Sequence, residues 1–519
     1  MGIIVTTRQG KLEGDRHRGV ERFKGIPFAR PPIGPLRFQA PQPPQAWNGI
    51  RDATAFGPAA PQIGPVHRLI RGMIGVAGSR QSQDCLYLNV WTPRADAERR
   101  PVLVWIHGGA FILGSGSTAL YSGSRLAARG DVVVVTINYR LGALGFLCWD
   151  VIHGGADRPP ANVGIRDQIA ALEWVRDNID QFGGDPENVT IFGESAGAMS
   201  TGTLLGVPAA RPLYHKAILQ SGAAHNVSSQ SKAARAAEYF LEALAGEDVS
   251  LEGLVSLPVT RLMQAQMEAT RRVGLDDGMM AWQPCVDGDL IPEQPLVAID
   301  RGDAGDKPVL IGTNRDEFSL FTFLDRDRLS DKDLAERLRR IAERAGGDAD
   351  ALVERILGVY GPRTGRRDPG ANRRWIQLQN DRIFHYPATR LAEAQSDHQE
   401  KTFSYLFEWA PPLIGRALGA CHGLELPFVF GTTGTGLVRA ALVADRSAGS
   451  LGDYIQDAWT SFARVGRPDR GQLPEWPAYT RRRRHTMSLG GGRGVLKDPH
   501  EGAREFWEPL IPDGEVPLI

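Results

Sequence analysis

Asn188-Val-Thr-Ile-Phe-Gly-Glu-Ser-Ala-Gly-Ala198 decides how the rest of this 519-residue chain is read. Val189 to Phe192 is a short apolar, β-branched run, the pattern of a buried strand. It ends at once in Gly193-Glu194-Ser195-Ala196-Gly197, a G-x-S-x-G, and small or helix-compatible residues follow. A serine on so sharp a strand-to-helix turn has a strained backbone. Glycines two residues to either side let strand and helix pass close together. The hydroxyl is held out at the strand tip, and the next N–H, that of Ala196, points to where an oxyanion would form. A bare G-x-S-x-G arises often by chance in a chain with 60 glycines, so the motif takes its weight from the strand before it and the helix after it.

Upstream, Pro101-Val-Leu-Val-Trp-Ile106 is a continuous apolar run, the mark of a strand covered on both faces. It delivers His107-Gly-Gly-Ala-Phe111, where two glycines let successive N–H groups turn toward one point, a nest for negative charge. An H-G-G motif upstream of the serine supplies the second half of the oxyanion hole in α/β-hydrolases. Leu86–Trp91 alternates as a strand, and Val132–Ile137 is another buried one. Ile165–Phe182 has the 3.6-residue period, with Ile169, Leu172, Val175, Ile179 and Phe182 apolar and charges between. Gly183-Gly-Asp-Pro186 stops that helix and turns the chain into the serine strand. Strand, helix, strand in this order means parallel neighbours in a doubly wound sheet.

Lys216–Ser221, Pro308–Gly312 and Thr402–Phe407 read as further central strands, the last being the final clear one. Long helical stretches near 231–246, 332–345, 349–358 and 380–396 are too large for simple crossovers. They predict a helical cap beside the strand tips, where ligands bind in such sheets. Gly10 to Gln62, rich in Gly and Pro but studded with aromatics, reads as a packed surface layer; Gln62 to Gln83 reads as a mobile loop. With no internal repeat and no low-complexity linker, 1–519 is expected to form one domain with inserted helical segments.

Lys+Arg and Asp+Glu both number 60, so the formal charge is zero and nothing favours a nucleic-acid partner. Arg481-Arg-Arg-Arg484 with His485 reads as a solvated loop between strands. No apolar run approaches the ~18 residues needed to span a bilayer, so no membrane partner is expected. The N-terminus lacks a leader pattern. It fits a short acylation pattern through Gly2 and Thr6, but Ile3, Val5 and Gly10 read instead as a first strand and turn. Cys85, Cys148, Cys285 and Cys421 are far apart without metal-ligand spacing, which suggests a reducing, cytoplasmic setting.

A serine hydroxyl is a poor nucleophile until a base takes its proton and a third group holds the base. In α/β-hydrolases the acid and then the histidine follow the serine. His215 and His225 come too early for that order, and His385, His398, His485 and His500 lie among charges or near the tail. His422 follows a late central strand through a loop that could bring it over the turn, though a surface histidine fits the same position. Asp316 and Glu317 both stand just past the tip of strand 308–312. Adjacent residues near a strand point opposite ways, and spacing does not say which faces the histidine.

With these motifs in hand, the chain resembles the type-B carboxylesterase and cholinesterase family over nearly its whole length. Phe182–Gly197 fits that family's active-serine signature, and Gln83-Asp-Cys-Leu-Tyr-Leu-Asn-Val-Trp-Thr-Pro93 is similar to its second signature. Phe23–Ala29, Asn138–Gly142 and Cys421-His-Gly-Leu-Glu-Leu-Pro-Phe428 are also of its kind. The resemblance implies an α/β-hydrolase fold, with Ser195 as nucleophile, His422 as general base, Glu317 as the acid, and Gly108, Gly109 and Ala196 as oxyanion donors. Ser221 falls where family members carry a second serine near the acid. Two departures stand out. Gln83 replaces a frequent family glutamate opposite Arg37, so a hydrogen bond can survive but not an ion pair. No cysteine lies in 58–84 to partner Cys85, whereas extracellular members close that loop with a disulfide. The loop also lacks the tryptophan with which cholinesterases hold a quaternary ammonium, so choline esters are not expected substrates.

The expected activity is two-step hydrolysis of small carboxylic esters, short- to medium-chain or aryl, through an acyl-enzyme, with no metal or cofactor. Bacterial para-nitrobenzyl-type esterases are the nearest comparison. The alternatives are a catalytically silent binding protein on the same scaffold, or a lipase or amidase with the same three residues. Phe111, Phe318 and Phe321 either line an apolar pocket or pack in the core.

Overall fold

Every other residue of the central strands must face the opposite side of the sheet, and the computed structural model shows both sides dry. It describes residues 2–62, 80–149, 158–276, 280–323, 329–345, 349–361, 370–412, 415–434, 447–492 and 494–510. The N-terminal strands β1 (Ile3–Thr7), β2 (Gly10–His17), β3 (Val20–Pro27), β4 (Ile50–Asp52) and β5 (Tyr87–Thr92) form an arm that is antiparallel except where β4 joins β2. The next seven, β6 (Arg100–Ile106), β7 (Val133–Ile137), β8 (Gly184–Glu194), β9 (Lys216–Gln220), β10 (Val309–Asn314), β11 (Thr402–Phe407) and β12 (His485–Leu489), are parallel to one another. With the antiparallel β13 (Val495–Lys497) the sheet runs β1-β2-β3-β5-β7-β6-β8-β9-β10-β11-β12-β13.

The alternation splits the core in two. Val102, Val104, Ile106, Val133, Val135, Val189, Ile191, Leu219, Val309 and Ile311 enter one cluster; Leu103, Trp105, Val134, Phe192, Ile218, Leu310 and Phe403 enter the other. An apolar run without polar interruptions is what such a strand requires. For that reason β6, β7 and β8 were readable from composition alone. The helix expected over Ile165–Phe182 is an α-helix at Val163–Asn178 that tightens to a 3-10 turn at Ile179–Phe182. Gly183 ends it at φ 76°, a left-handed conformation that favours glycine.

A third core belongs to the inserted helices. Leu338, Ile356, Tyr360 and Leu378, from Asp331–Ala345, Ala349–Tyr360 and Ala371–Asn380, pack with Phe506 and Trp507 of Glu501–Trp507. The helical stretch expected over 380–396 is two pieces, a π turn at Asp381–His385 and an α-helix at Tyr386–Ser396. That expected over 231–246 is shorter, at Gln230–Glu242. Of the loop read over Gln62–Gln83, residues 63–79 lie outside the described ones. Its flank keeps one expected contact, as Arg37 Nε donates to Gln83 Oε1 at 2.7 Å.

Two differences from the sequence reading share a cause, the absence of an uninterrupted apolar run. Within the region read as a surface layer, β2 and β3 are true strands, with Leu12 and Gly14 buried between exposed or half-buried charges. Beyond Thr402–Phe407, β12 adds a further parallel strand from the mixed sequence His-Thr-Met-Ser-Leu. The arginine run before β12 is more than a solvated loop. Arg484 Nε donates to Glu393 Oε1 at 2.8 Å and Arg481 Nη1 to Glu393 Oε2 at 3.3 Å, and the Glu393 side chain is fully buried. Glu393→Ala leaves the mostly buried Arg484 guanidinium with Asp498 alone, 3.7 Å away, and a loss of about 2 kcal/mol is expected in urea unfolding. Asp397→Ala, at the exposed Arg481 pair, should change stability by less than about 1 kcal/mol.

Candidate active site

Between the end of β8 and the start of the helix Ala196–Gly206 stands one residue, Ser195, at φ 55° and ψ −125°. A non-glycine residue held there is strained by about 1–3 kcal/mol, so its surroundings must enforce the conformation. They do so from both sides. Its N–H donates to the Gln220 carbonyl of β9 at 2.9 Å, and its own carbonyl accepts from Met199 N–H at 2.8 Å. Gly197 lies so close beneath β6 that a Cβ there would overlap the Ile106 carbonyl oxygen, and a Cβ on Gly193 would overlap Gly197. Phe192–Glu194 and Ala196–Gly197 are buried while Ser195 is partly exposed. The turn thus presents one side chain.

Opposite the serine, β6 ends in His107-Gly108-Gly109. A Cβ on Gly108 would sit 2.6 Å from the Glu194 carbonyl and 3.1 Å from Ser195 Cβ. Gly109, Ala110 and Phe111 all have positive φ, at 114°, 53° and 60°. Among the described residues, the N–H groups of Gly108 and Gly109 donate to no protein acceptor. His107 braces this turn from below. Burial drives its pKa down to about 4 against the pull of the Gly108 carbonyl, so it is neutral at pH 7 and its Nδ1–H donates to Gly108 O at 2.9 Å. Its ring stacks on Tyr139, whose hydroxyl donates to the His107 carbonyl.

The third arm comes from β10 and β11. Glu317 is fully buried; its Oε1 accepts from Asn314 N–H and its Oε2 lies 2.7 Å from His422 Nδ1. Asp316 turns the other way, to Arg315 and to Ala420 N–H. Of the two acids left open by spacing, Glu317 is therefore the one that meets the histidine. His422 Nε2 is 3.0 Å from Glu194 Oε1, so the imidazole lies between two carboxylates. Burial lowers its proton affinity, but Glu194 and then Glu317 more than offset this and hold the pKa well above the usual histidine range. Nearby Glu425 is pushed up to about 8 by burial and by the Glu194 and Glu317 charges, while accepting from Asn314 Nδ2 at 2.6 Å.

The structure thus joins Glu317 to His422, and it sets Gly108 and Ala196 beside Ser195. It does not join Ser195 Oγ to His422, whose Nε2 is engaged with Glu194. Nor does Ser221 reach the acid. It ends β9 at φ 54°, and its buried hydroxyl has no hydrogen-bond partner among the described residues. Glu194 and Glu425 were missed as parts of the site. Both were visible in quoted motifs, one immediately before the serine and the other three residues after His422. Phe111 is core, packed edge-on against Phe146. Phe321 is 47% exposed with its ring 5.3 Å from His422, and Phe384, not considered from sequence, lies 4.9 Å from the same ring.

The close crossing is testable without any substrate. Gly197→Ala must push strand tip and helix apart, and a loss of about 1–3 kcal/mol is expected in thermal unfolding. Gly434→Ala, where a Cβ meets nothing, should unfold as the native protein does.

Comparison with known proteins places the whole chain among esterases and related hydrolases. Para-nitrobenzyl esterase of Bacillus subtilis is 40% identical over 97% of this chain and 98% of its own length. Phenmedipham hydrolase of Pseudarthrobacter oxydans is 36% identical over 92% of each. A solved thermophilic PNB esterase superposes with a TM-score of 0.85 at 38% identity, covering 98% of this chain and all of the other. The Geobacillus stearothermophilus carboxylesterase Est55 gives 0.83 at 38% identity, over 97% of this chain and 99% of its own. The esterases and the carboxylesterase among these relatives are by name carboxylic ester hydrolases, and the solved ones have the α/β-hydrolase fold. The family model described as Carboxylesterase family matches residues 2–507, and the chain belongs to that family.

Proposed function

We propose that Ser195, His422 and Glu317 form the catalytic triad of this carboxylic ester hydrolase, with Gly108, Gly109 and Ala196 N–H groups holding the oxyanion. The observation that carries the reading is the 2.7 Å contact of His422 Nδ1 with the buried Glu317, on a ring whose other nitrogen faces the residue adjoining Ser195. Nδ1–H donated to Glu317 leaves Nε2 as the base. Loss of the proton shared with Glu194 frees Nε2 for Ser195 Oγ, a contact that tightens when substrate arrives. The serine oxygen then attacks the ester carbonyl as His422 takes its proton. The imidazolium returns that proton to the leaving alcohol, and water repeats both steps on the acyl-enzyme. Glu317 keeps the tautomer and stabilises the imidazolium.

The substrate class we infer is small esters, short- to medium-chain or with an aryl alcohol. Phe321 and Phe384 give the leaving group an aromatic wall beside the proton donor. Ser221, whose hydroxyl lacks a partner, is proposed to support the acid arm from β9 through its backbone. We further infer a single domain acting in the reducing cytoplasm. All four cysteines are buried and none forms a disulfide, and no helix among the described residues is long and apolar enough to cross a membrane.

Hydrolysis of p-nitrophenyl acetate, butyrate and palmitate tests the reading. Ser195→Ala should lower kcat on the short esters by on the order of a million-fold; a folded variant that keeps native activity would exclude Ser195 as nucleophile. Preference for palmitate emulsions would instead mark a lipase. The pH profile is a second check. His422 must be neutral to act as base and its pKa is raised. The acid limb of kcat/KM is therefore expected above the ordinary histidine range near 6.5. Glu194→Gln removes the charge that raises it most, so the limb should move to lower pH. A limb that stays in place would show that Glu194 does not set the base.

A further inference from the structure

Both ring nitrogens of His385 face an oxygen atom. Nδ1 lies 2.8 Å from Asp381 Oδ1 and Nε2 lies 2.9 Å from the Asn314 carbonyl oxygen. A carbonyl oxygen and a carboxylate can only accept, so both nitrogens donate and the side chain is an imidazolium. It is 5% exposed. Such a buried cation needs a purpose or a partner set that offsets its desolvation, and here the partners lead to the triad.

Asn314 is the junction. Its carbonyl accepts from His385, its N–H donates to Glu317 Oε1, and its side-chain amide donates to Cys421 O and Glu425 Oε2. The same loop is gripped a second time from the same helix. Asn380 Oδ1 accepts from Phe318 N–H at 2.7 Å, and Asn380 Nδ2 donates to the Arg315 carbonyl at 3.3 Å. Residues five apart diverge around an α-helix, but an i→i+5 turn stacks them. The π turn at Asp381–His385, closed by Tyr386 N–H on the Asp381 carbonyl, is thus what aims Asn380 and His385 at one loop.

We propose that this π turn positions the acid arm of the triad, with the His385 imidazolium, charge-paired to Asp381, clamping Asn314 and so the Glu317 carboxylate against His422. The inference rests on the triad reading above. His385 is a positioning residue and touches no reacting atom.

The surroundings favour the charged form. Burial alone lowers the proton affinity of His385, but the Asp381 hydrogen bond and charge, the Asn314 carbonyl and the Glu317 charge together raise its pKa above the ordinary value. From the C-terminal segment His500 stacks on it at 4.1 Å, and burial and the His385 charge hold His500 neutral. Arg484, Asp498, Tyr405 and Tyr479 share the small cavity around the two rings, and Tyr360 lies beside Asp381. A metal bound by Asp381, His385 and His500, whose ligand atoms lie within 4.8 Å of one another, is the competing use. Rings stacked at an interplanar angle of 24° direct their in-plane lone pairs along nearly parallel lines, and no single ion sits in both planes.

The clamp is expected to work below the raised His385 pKa and to fail as pH rises through it. The test uses the full-length enzyme labelled with ¹⁵N-histidine, His385→Gln assigning the signal. At pH 7 both His385 nitrogens should show the protonated imidazolium pattern, beyond the pH near 6.5 at which an ordinary histidine has titrated. In parallel, kcat and KM are followed against pH. His385→Gln should lower kcat by up to about 100-fold with KM near native, the scale of a displaced catalytic group, and should lose the alkaline limb. Asp381→Asn should move that limb to lower pH. A neutral His385 at pH 7, or a His385→Gln enzyme with native kcat and an unchanged profile, overturns the proposal. If His385→Gln does not fold, Asp381→Asn assigns the signal by the shift it causes, and the native spectrum with the Asp381→Asn profile decides it. Glu317→Gln with native kcat would overturn the triad reading together with the positioning role. A neutral His385 alongside an inactive Glu317→Gln overturns the clamp alone.

Discussion

The Ile106 carbonyl oxygen occupies the space that any side chain on Gly197 would need. That crossing of β6 and the helix after β8 is what the rest of the site depends on. It forces Ser195 into a left-handed conformation, leaving it the exposed residue of a buried turn. The same closeness brings the His107-Gly108-Gly109 turn against the Ser195 Cβ. The proposed nucleophile and oxyanion donors are therefore one packing solution, since both follow from how near two backbones come when two glycines separate them.

The second constraint is electrostatic. Glu194, Glu317 and Glu425 are buried around one imidazole, so each charge there acts on the others with little screening. Glu425 yields by holding its proton more tightly, with a pKa near 8. His422 responds the opposite way, keeping its own proton between Glu194 and Glu317. In this arrangement His422 Nε2 is taken up by Glu194, which accounts for the missing contact to Ser195. A neutral ligand that excludes water changes the cost of each charge, and the imidazole can then be released toward the serine.

How much of this was readable follows from where each piece of information resides. Strands buried on both faces leave an unbroken apolar run, so β6, β7 and β8 stood out, as did the glycines that permit the crossing. Short or edge strands such as β2 and β12 mix polar and apolar residues, because only one face or a few positions are buried, and they left no run to find. The choice between Asp316 and Glu317 needed side-chain direction, which spacing does not contain; the family resemblance supplied the side that the geometry also favours. Asn380 and His385 were invisible for a further reason. Their importance lies in contacts such as His385 with Asn314, 71 residues apart, which no local pattern encodes.

The three proposed catalytic side chains come from loops at the carboxyl ends of different parallel strands, with Glu317 and His422 separated by 105 residues. A sheet can fix where each strand ends, but it cannot fix a loop three residues beyond the tip of β10. Ser195 needs no outside support because its turn is wedged between backbones. Glu317 has no such wedge, and a carboxylate that drifts by a fraction of an ångström loses its hold on the imidazole. The inserted helices meet that need. They build a third core of their own, and from it the 371–396 segment reaches the acid loop at Asn314, Arg315 and Phe318. On this view the insertion beside the sheet is the structural complement of the acid arm, as the glycine crossing is of the serine.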